Sequence, residues 1–212
     1  MPKPEKLALD QTVELFCGKA KAFSCIASAL GFATYTVDAD PAISPDLVAD
    51  IRTVTADKMP PAPLIVWARP PAFPAFAEQS CWEQDGSYFP VTPEAEQAIA
   101  IVRATINAIT ALNPTWWFME HPKSLLRSMP TFAGFNRGYP SRNRQTIRHD
   151  EYGGRDASET DVWTNAYWWI PRPGEPDGSG GVDTSGRIPP FVFAQIFEQL
   201  DQYQRTGFYG PR

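Results

Sequence analysis

The chain has 212 residues, of which 43% are hydrophobic, enough to bury one substantial core and too few for a second, so a single domain over 1–212 is expected. Nineteen Lys and Arg against 24 Asp and Glu give a formal net charge of −5, which excludes tight nonspecific adhesion to phosphate backbones through the bulk surface and leaves only a local basic patch for that purpose. Cys17, Cys25 and Cys81 fall at no metal-ligand spacing, and with only His121 and His149 beside them no metal site is expected. No apolar run reaches the ~18 residues of a membrane span and no signal peptide is apparent, so no membrane association and a cytoplasmic protein with reduced thiols are expected.

Val13-Glu-Leu-Phe16 reads as a short strand, Cys17-Gly18 as a turn, and Ala20 to Leu30 as a helix that Gly31 ends. Phe32 to Val37 is a second strand candidate, stopping at Asp38-Ala39-Asp40-Pro41, and a further acidic stop follows at Asp46 to Ile51. Beyond the Pro-rich stretch 59–63 comes Leu64-Ile-Val-Trp-Ala-Arg-Pro-Pro-Ala72, an apolar run cut off by proline. Thr92-Pro93 with Glu94 and Glu96 has the hydroxyl, proline and acids of a helix start, and Ala98, Val102, Thr105, Ile109 and Leu112 recur at helical spacing until Asn113-Pro114. The strand Trp116-Trp-Phe-Met119 then runs into Glu120-His-Pro122. Gln145 to His149 and Asp161 to Asn165 resemble strands, 173–187 is a polar loop expected to be mobile, and Pro190 opens a last helix with Phe193, Ile196, Phe197 and Leu200 on one face. Strands alternating with helices predict an α/β fold with a doubly wound, mostly parallel sheet.

Two strand ends carry the chemical signal. A buried parallel strand delivers polar groups to a ligand crevice at its carboxyl end, and Arg69-Pro-Pro-Ala72 and Glu120-His-Pro122 both sit there. Together with Thr92-Pro-Glu-Ala95, Leu112-Asn-Pro114, Leu126-Arg-Ser-Met-Pro130 and Asp161-Val-Trp-Thr-Asn165 they resemble compact, phage-type cytosine-5 DNA methyltransferases. The resemblance spans Val13 to Asn165. It implies a Rossmann-like methyltransferase fold without a separate target-recognition domain, S-adenosylmethionine as cofactor, and DNA or a nucleotide as substrate, in the cytoplasm of a bacterial host if phage-encoded.

The same resemblance implies roles for particular positions. Its first strand ends in Phe-x-Gly-x-Gly, here Phe16-Cys-Gly18 followed by Lys19-Ala20; Asp38 or Asp40 falls where an acid takes ribose hydroxyls, and Asp50-Ile51 where an Asp-Ile pair contacts adenine. Pro70 and Pro71 border the cofactor. Physically, carboxylates at strand ends accept paired hydroxyl or amino donors, although acids in loops are also commonly just solvated. Glu120 would grip the base as a general acid. The family's nucleophilic Cys corresponds to Ala72, which can add to nothing, and Cys81 is the only thiol nearby. Where the family carries Arg-x-Lys-Pro-Thr-Asp, Asp156 and Ser158 hold the two basic positions ahead of Thr160-Asp161. Trp82 is the best candidate to stack a base, the other tryptophans reading as core; Arg142, Arg144, Arg148 and Arg155 are candidate phosphate contacts or a solvated charged edge. Three functions are consistent with this pattern: a divergent base-modifying enzyme without the Cys nucleophile, a catalytically silent binding or decoy protein, and a standard cytosine methylase inactivated by a Cys to Ala change.

Overall fold

A computed structural model describes residues 11–130, 144–154, 156–174 and 188–207. The elements are β1 (Gln11–Leu15), α1 (Ala22–Ala29), β2 (Ala33–Asp38), β3 (Leu47–Val48), β4 (Ile65–Ala68), α2 (Pro93–Leu112), β5 (Trp116–Pro122), β6 (Arg144–Arg148), β7 (Glu159–Thr164) and α3 (Pro190–Thr206). One seven-stranded sheet runs in the order β3-β2-β1-β4-β5-β7-β6. The pairs β1–β2, β1–β4 and β2–β3 are parallel and β6–β7 is antiparallel, so the α/β class and the mostly parallel sheet predicted from sequence are what the structure has. The order reverses between β2-β1 and β4, which is the switch of a doubly wound, Rossmann-like sheet. The chain forms two compact units, Met1–Pro70 with Ile101–Phe118 and Pro71–Ala100 with Met119–Arg212.

In the first unit the parallel strands are short and apolar. All four residues of β4 are buried, so both its faces are covered, as a central parallel strand requires. Phe23 of α1 stacks on Trp67 of β4 with centroids 5.6 Å apart, and Trp67 stacks on Phe118 of β5 at 5.7 Å. No α-helix crosses from β3 to β4: the connection is made by one-turn helices at Ile51–Thr53 and Ala56–Lys58 followed by prolines. The helical run ending at Asn113 stops as expected, with Asn113 left-handed at φ 46° and its amide bonded back to the Ile109 carbonyl.

In the second unit, Thr92 Oγ accepts the Ala95 amide and starts α2 as its sequence predicts. One face of α3 carries Val192, Phe193, Ile196, Phe197 and Leu200 into the core. Its Gln195 and Gln199, four residues apart, each bind an extended segment at two points: Gln199 takes the Ile170 amide and gives to the Ile170 carbonyl, and Gln195 does the same for Arg172. The side-chain amides thereby replace a neighbouring strand for that segment. Asp161 of β7, at 0% exposure, accepts from Arg127 Nε at 2.9 Å, from Arg127 Nη2, and from Thr146 Oγ at 2.7 Å.

A fully buried carboxylate needs its partner. Arg127→Met is expected to cost about 3–5 kcal/mol by stranding the Asp161 charge, and the double change Arg127→Met, Asp161→Leu to recover most of that loss. Urea denaturation followed by tryptophan fluorescence measures both; equal losses in the single and double variants would show that the pair contributes packing rather than charge.

Candidate active site

In the first unit, the strand register sets the predicted cofactor residues level with one another. Leu15 pairs with Val37 and with Ala68, and Asp38 pairs with Val48. Phe16, Asp38, Asp50 and Pro70, each at or just after the end of β1, β2, β3 and β4, therefore share one carboxyl edge of the sheet. The turn after β1 is built on left-handed residues, Phe16 at φ 59°, Gly18 at φ 58° and Lys21 at φ 44°. At Gly18 the glycine is favoured by this backbone angle and not by crowding, because a Cβ there would meet nothing within 4 Å.

Carboxyl groups satisfy the amides of this turn. Gly18 donates its N–H to Asp38 Oδ2 at 3.0 Å, and the other Asp38 oxygen takes the Asp40 amide. Asp40 in turn caps the one-turn helix after it through the Ala42 amide. Helix α1 has no side-chain cap at its own N-cap residue, Lys21; instead the Glu14 carboxyl, from inside β1, accepts the Ser24 N–H at 2.9 Å. Burial is the largest influence on Glu14 and pushes its carboxyl above the ordinary carboxylate range, against the stabilising Ser24 and Phe23 donors. Burial likewise pushes the Cys17 thiol up to about 11, helped by the charges of Glu14 and Asp38. Asp50 is engaged differently: its hydrogen bonds with the Arg52 side chain and amide hold it down at about 2, and Ile51 behind it is buried.

The second unit holds the residues expected to do chemistry. Pro71 and Ala72 are exposed, and Ala72 offers only a methyl group. Glu120 is 2% exposed. His121, 1% exposed, sets its Nδ1 at 2.8 Å from the Pro122 carbonyl and 3.2 Å from Ser124 Oγ, and Phe76 meets it edge-on at 5.1 Å. Burial, the largest effect, lowers the His121 pKa, opposed by the Pro122 and Pro71 carbonyls and the Asp161 charge.

Trp82, expected to stack a base, lies instead in the core: it stacks on Phe76 at 5.5 Å and donates Nε1 to the Ala75 carbonyl at 2.7 Å. Cys81 is half-buried and its carbonyl accepts the Val91 amide at 2.9 Å. Of the candidate phosphate contacts, Arg144 donates to the Arg127 carbonyl and Arg148 pairs with Asp150 at 2.9 Å; Arg142 and Arg155 lie outside the described residues. Most of the 173–187 loop lies outside them as well.

One cluster was not anticipated. Asp156 Oδ1 takes the Ser158 amide and hydroxyl, Ser158 Oγ lies 2.9 Å from His149 Nδ1, and His149 Nε2 lies 2.8 Å from Thr160 Oγ. His149 is buried under the turn at Gly154, where a Cβ would stand 2.7 Å from the His149 Cβ. The sequence signal available was the pair of glycines, 153 and 154. Among the described residues no group of side chains is arranged to hold a metal ion, and no helix is long and apolar enough to cross a membrane.

No family model matches the sequence, and no curated protein matches it. Among solved structures it is similar to one described as a DNA modification methyltransferase encoded within an E. coli prophage, with TM-score 0.48 and 14% identity over 73% of this chain. It spans 45% of that protein's length. It is also similar to a human methyltransferase 10 domain containing protein (TM-score 0.45, 13% identity, 77% of this chain and 75% of that one). A third similar structure is the delta-N METTL16 MTase domain (0.43, 16%, 72% and 72%).

The histidine gives a pH signature. With a folded pKa depressed below 6.5, His121 contributes stability that is fully present above pH 6.5 and is lost as the pH falls through the depressed value. His121→Asn is expected to flatten this part of the acid side of the stability curve, measured as urea midpoints of both proteins on either side of pH 6.5. Parallel curves would show that the ring titrates alike folded and unfolded.

Proposed function

We propose that this chain is an S-adenosylmethionine-binding methyltransferase that acts on a nucleic-acid or nucleotide base without a thiol nucleophile. The observation that carries the reading is the occupation of the β1–α1 turn by carboxyl groups. A dinucleotide fold leaves the turn and helix-start amides free for a pyrophosphate. Here Asp38 takes the Gly18 amide and Glu14 takes that of Ser24. Such an edge offers acceptors and rejects phosphate. It suits a ligand rich in donors and positive charge, as S-adenosylmethionine is with its ammonium, sulfonium and ribose diol. Asp38 and Asp40 would meet the ribose, the open space above Gly18 would admit the methionine portion, and Phe16, Ile51 and Pro70 would border the adenine and methionine groups.

The bound cofactor supplies an electrophilic methyl group. Carbon five of cytosine becomes nucleophilic only after a thiolate has added to the ring, and Ala72 provides none. The acceptor that fits this chain is therefore an atom already carrying a lone pair, such as a ring or exocyclic nitrogen. Glu120 would hold the base by hydrogen bonding. A catalytically silent binding protein is the second reading, favoured by the pairing of Arg148 with Asp150, which weakens the case for a phosphate track.

Isothermal calorimetry with S-adenosylmethionine should give saturable heat, and Asp38→Ala should weaken binding at least about tenfold, roughly 1.4 kcal/mol. No heat would favour the silent protein. DNA containing 5-fluorocytosine, which traps a thiol-linked intermediate, should form no covalent adduct. A shifted band on a denaturing gel that disappears in Cys81→Ser would instead place the nucleophile at Cys81.

A further inference from the structure

The connection between β6 and β7 in the second unit holds a hydroxyl, an imidazole and a carboxyl group that the proposed chemistry does not use. Strand β6 ends at Arg148, opposite Glu159 of β7, and one more rung follows: the His149 amide donates to the Ser158 carbonyl at 2.9 Å. The side chains of the same two residues also meet, with Ser158 Oγ 2.9 Å from His149 Nδ1. Thr160 holds the far side of the ring, its Oγ 2.8 Å from Nε2. Gly154 packs so closely on His149 that any side chain there would collide with its Cβ, which locks the ring in place.

Burial separates the roles of the members. His149 and Thr160 are buried, whereas Ser158 and Asp156 are exposed, so a ligand meets the imidazole through the Ser158 hydroxyl. That hydroxyl has one proton and two acceptors within reach, His149 Nδ1 and Asp156 Oδ1. With the ring proton on Nε2 and donated to Thr160, Nδ1 turns its lone pair on Ser158 Oγ. Once the ring has taken the hydroxyl proton it is a cation, and Asp156 Oδ1, 3.9 Å from Nδ1, stabilises it. A hydroxyl, a base bonded to it and a third group that orients the base together activate a nucleophile, and they are recognised by these roles whatever their order along the chain.

We propose that Ser158 is a nucleophile, with His149 as its general base, and that it takes an acyl group from a small ester. Ser158 Oγ attacks the ester carbonyl carbon and forms the Oγ–C bond, while its proton passes to His149 Nδ1. The bond from that carbon to the leaving oxygen breaks, and the oxygen keeps the electron pair and takes the proton back from His149. Water then hydrolyses the acyl serine, releasing the carboxylic acid and restoring the hydroxyl. No cofactor enters these steps, so they hold or fail independently of S-adenosylmethionine binding.

The test uses p-nitrophenyl acetate on the full chain, with p-nitrophenolate release followed by absorbance and the acetyl group located by peptide mass spectrometry of acid-quenched samples. The folded chain should release p-nitrophenolate faster than the urea-unfolded chain and carry the acetyl group on Ser158, and Ser158→Ala should slow that release at least about tenfold. Asp156→Asn keeps an acceptor for the Ser158 amide and removes the charge; Thr160→Val keeps the shape and removes the partner of Nε2. Each should slow acetylation at least about tenfold while circular dichroism shows the fold intact. Release unchanged in Ser158→Ala, release as fast from the urea-unfolded chain, or acetylation unchanged in both Asp156→Asn and Thr160→Val overturns the proposal.

Discussion

A strand buried on both faces can carry a charge only where the chain leaves the sheet or where local donors meet that charge. In the first unit β4 obeys the first rule, with four apolar buried residues and every polar group after its end. Strand β1 obeys the second. Glu14 sits inside the strand, pairs in register with Thr36 and Trp67, and is tolerated because it faces the amides that α1 leaves unsatisfied at its start. The helix has no cap of its own, so each group answers the other's need. With that turn fixed, Gly18 is presented to Asp38, and the remaining acids follow at the same level of the sheet because the register of β1 to β3 is level.

The second unit solves its polar burial with pairs distant in sequence. Arg127 reaches Asp161 across 34 residues, and Gln195 and Gln199 reach Arg172 and Ile170 across 23 and 29. Such groups stabilise the fold only as satisfied sets, because a half-satisfied buried network costs more than an apolar one. Charge spent in this way is withdrawn from ligand binding. Arg127 belongs to Asp161 before it belongs to any phosphate.

What was legible in the sequence follows the same division. Local patterns predict local structure, so the Thr92-Pro93 start and Asn113 stop of α2, the apolar run of β4 and the acid-ended strands read directly. The α/β class followed from their alternation. The two-residue β3 and the one-turn helices after it have too few residues to establish a period, and the Pro-rich run after them reads only as a break. Trp82 was misplaced for a related reason: Gly86, Asp85 and Ser87 mark a reversal, and nothing in that composition tells whether the flanking residues form a ladder that turns the indole inward. The level edge of acids was visible as order along the chain, but the engagement of Asp50 by Arg52 and of Asp38 by Gly18 depends on turn geometry that composition does not carry.

Asp156, Ser158 and His121 each have local work of their own. Asp156 closes a turn by taking the Ser158 amide, which keeps Ser158 Oγ on the buried His149, while Thr160 meets the other ring nitrogen. That arrangement also needs Gly154, since a side chain there would collide with His149. Placing a basic residue at 156 would remove the acceptor of this turn as well as reverse a charge. Asp156 and Ser158 are thus coupled to packing around His149, and a basic pair at these two positions would disturb it. The same holds after Glu120, where His121 is buried and its Nδ1 lies 2.8 Å from the Pro122 carbonyl. A scaffold can keep its apolar periodicity through such changes because the core requires only volume and pattern, whereas each catalytic position requires a particular group with particular neighbours.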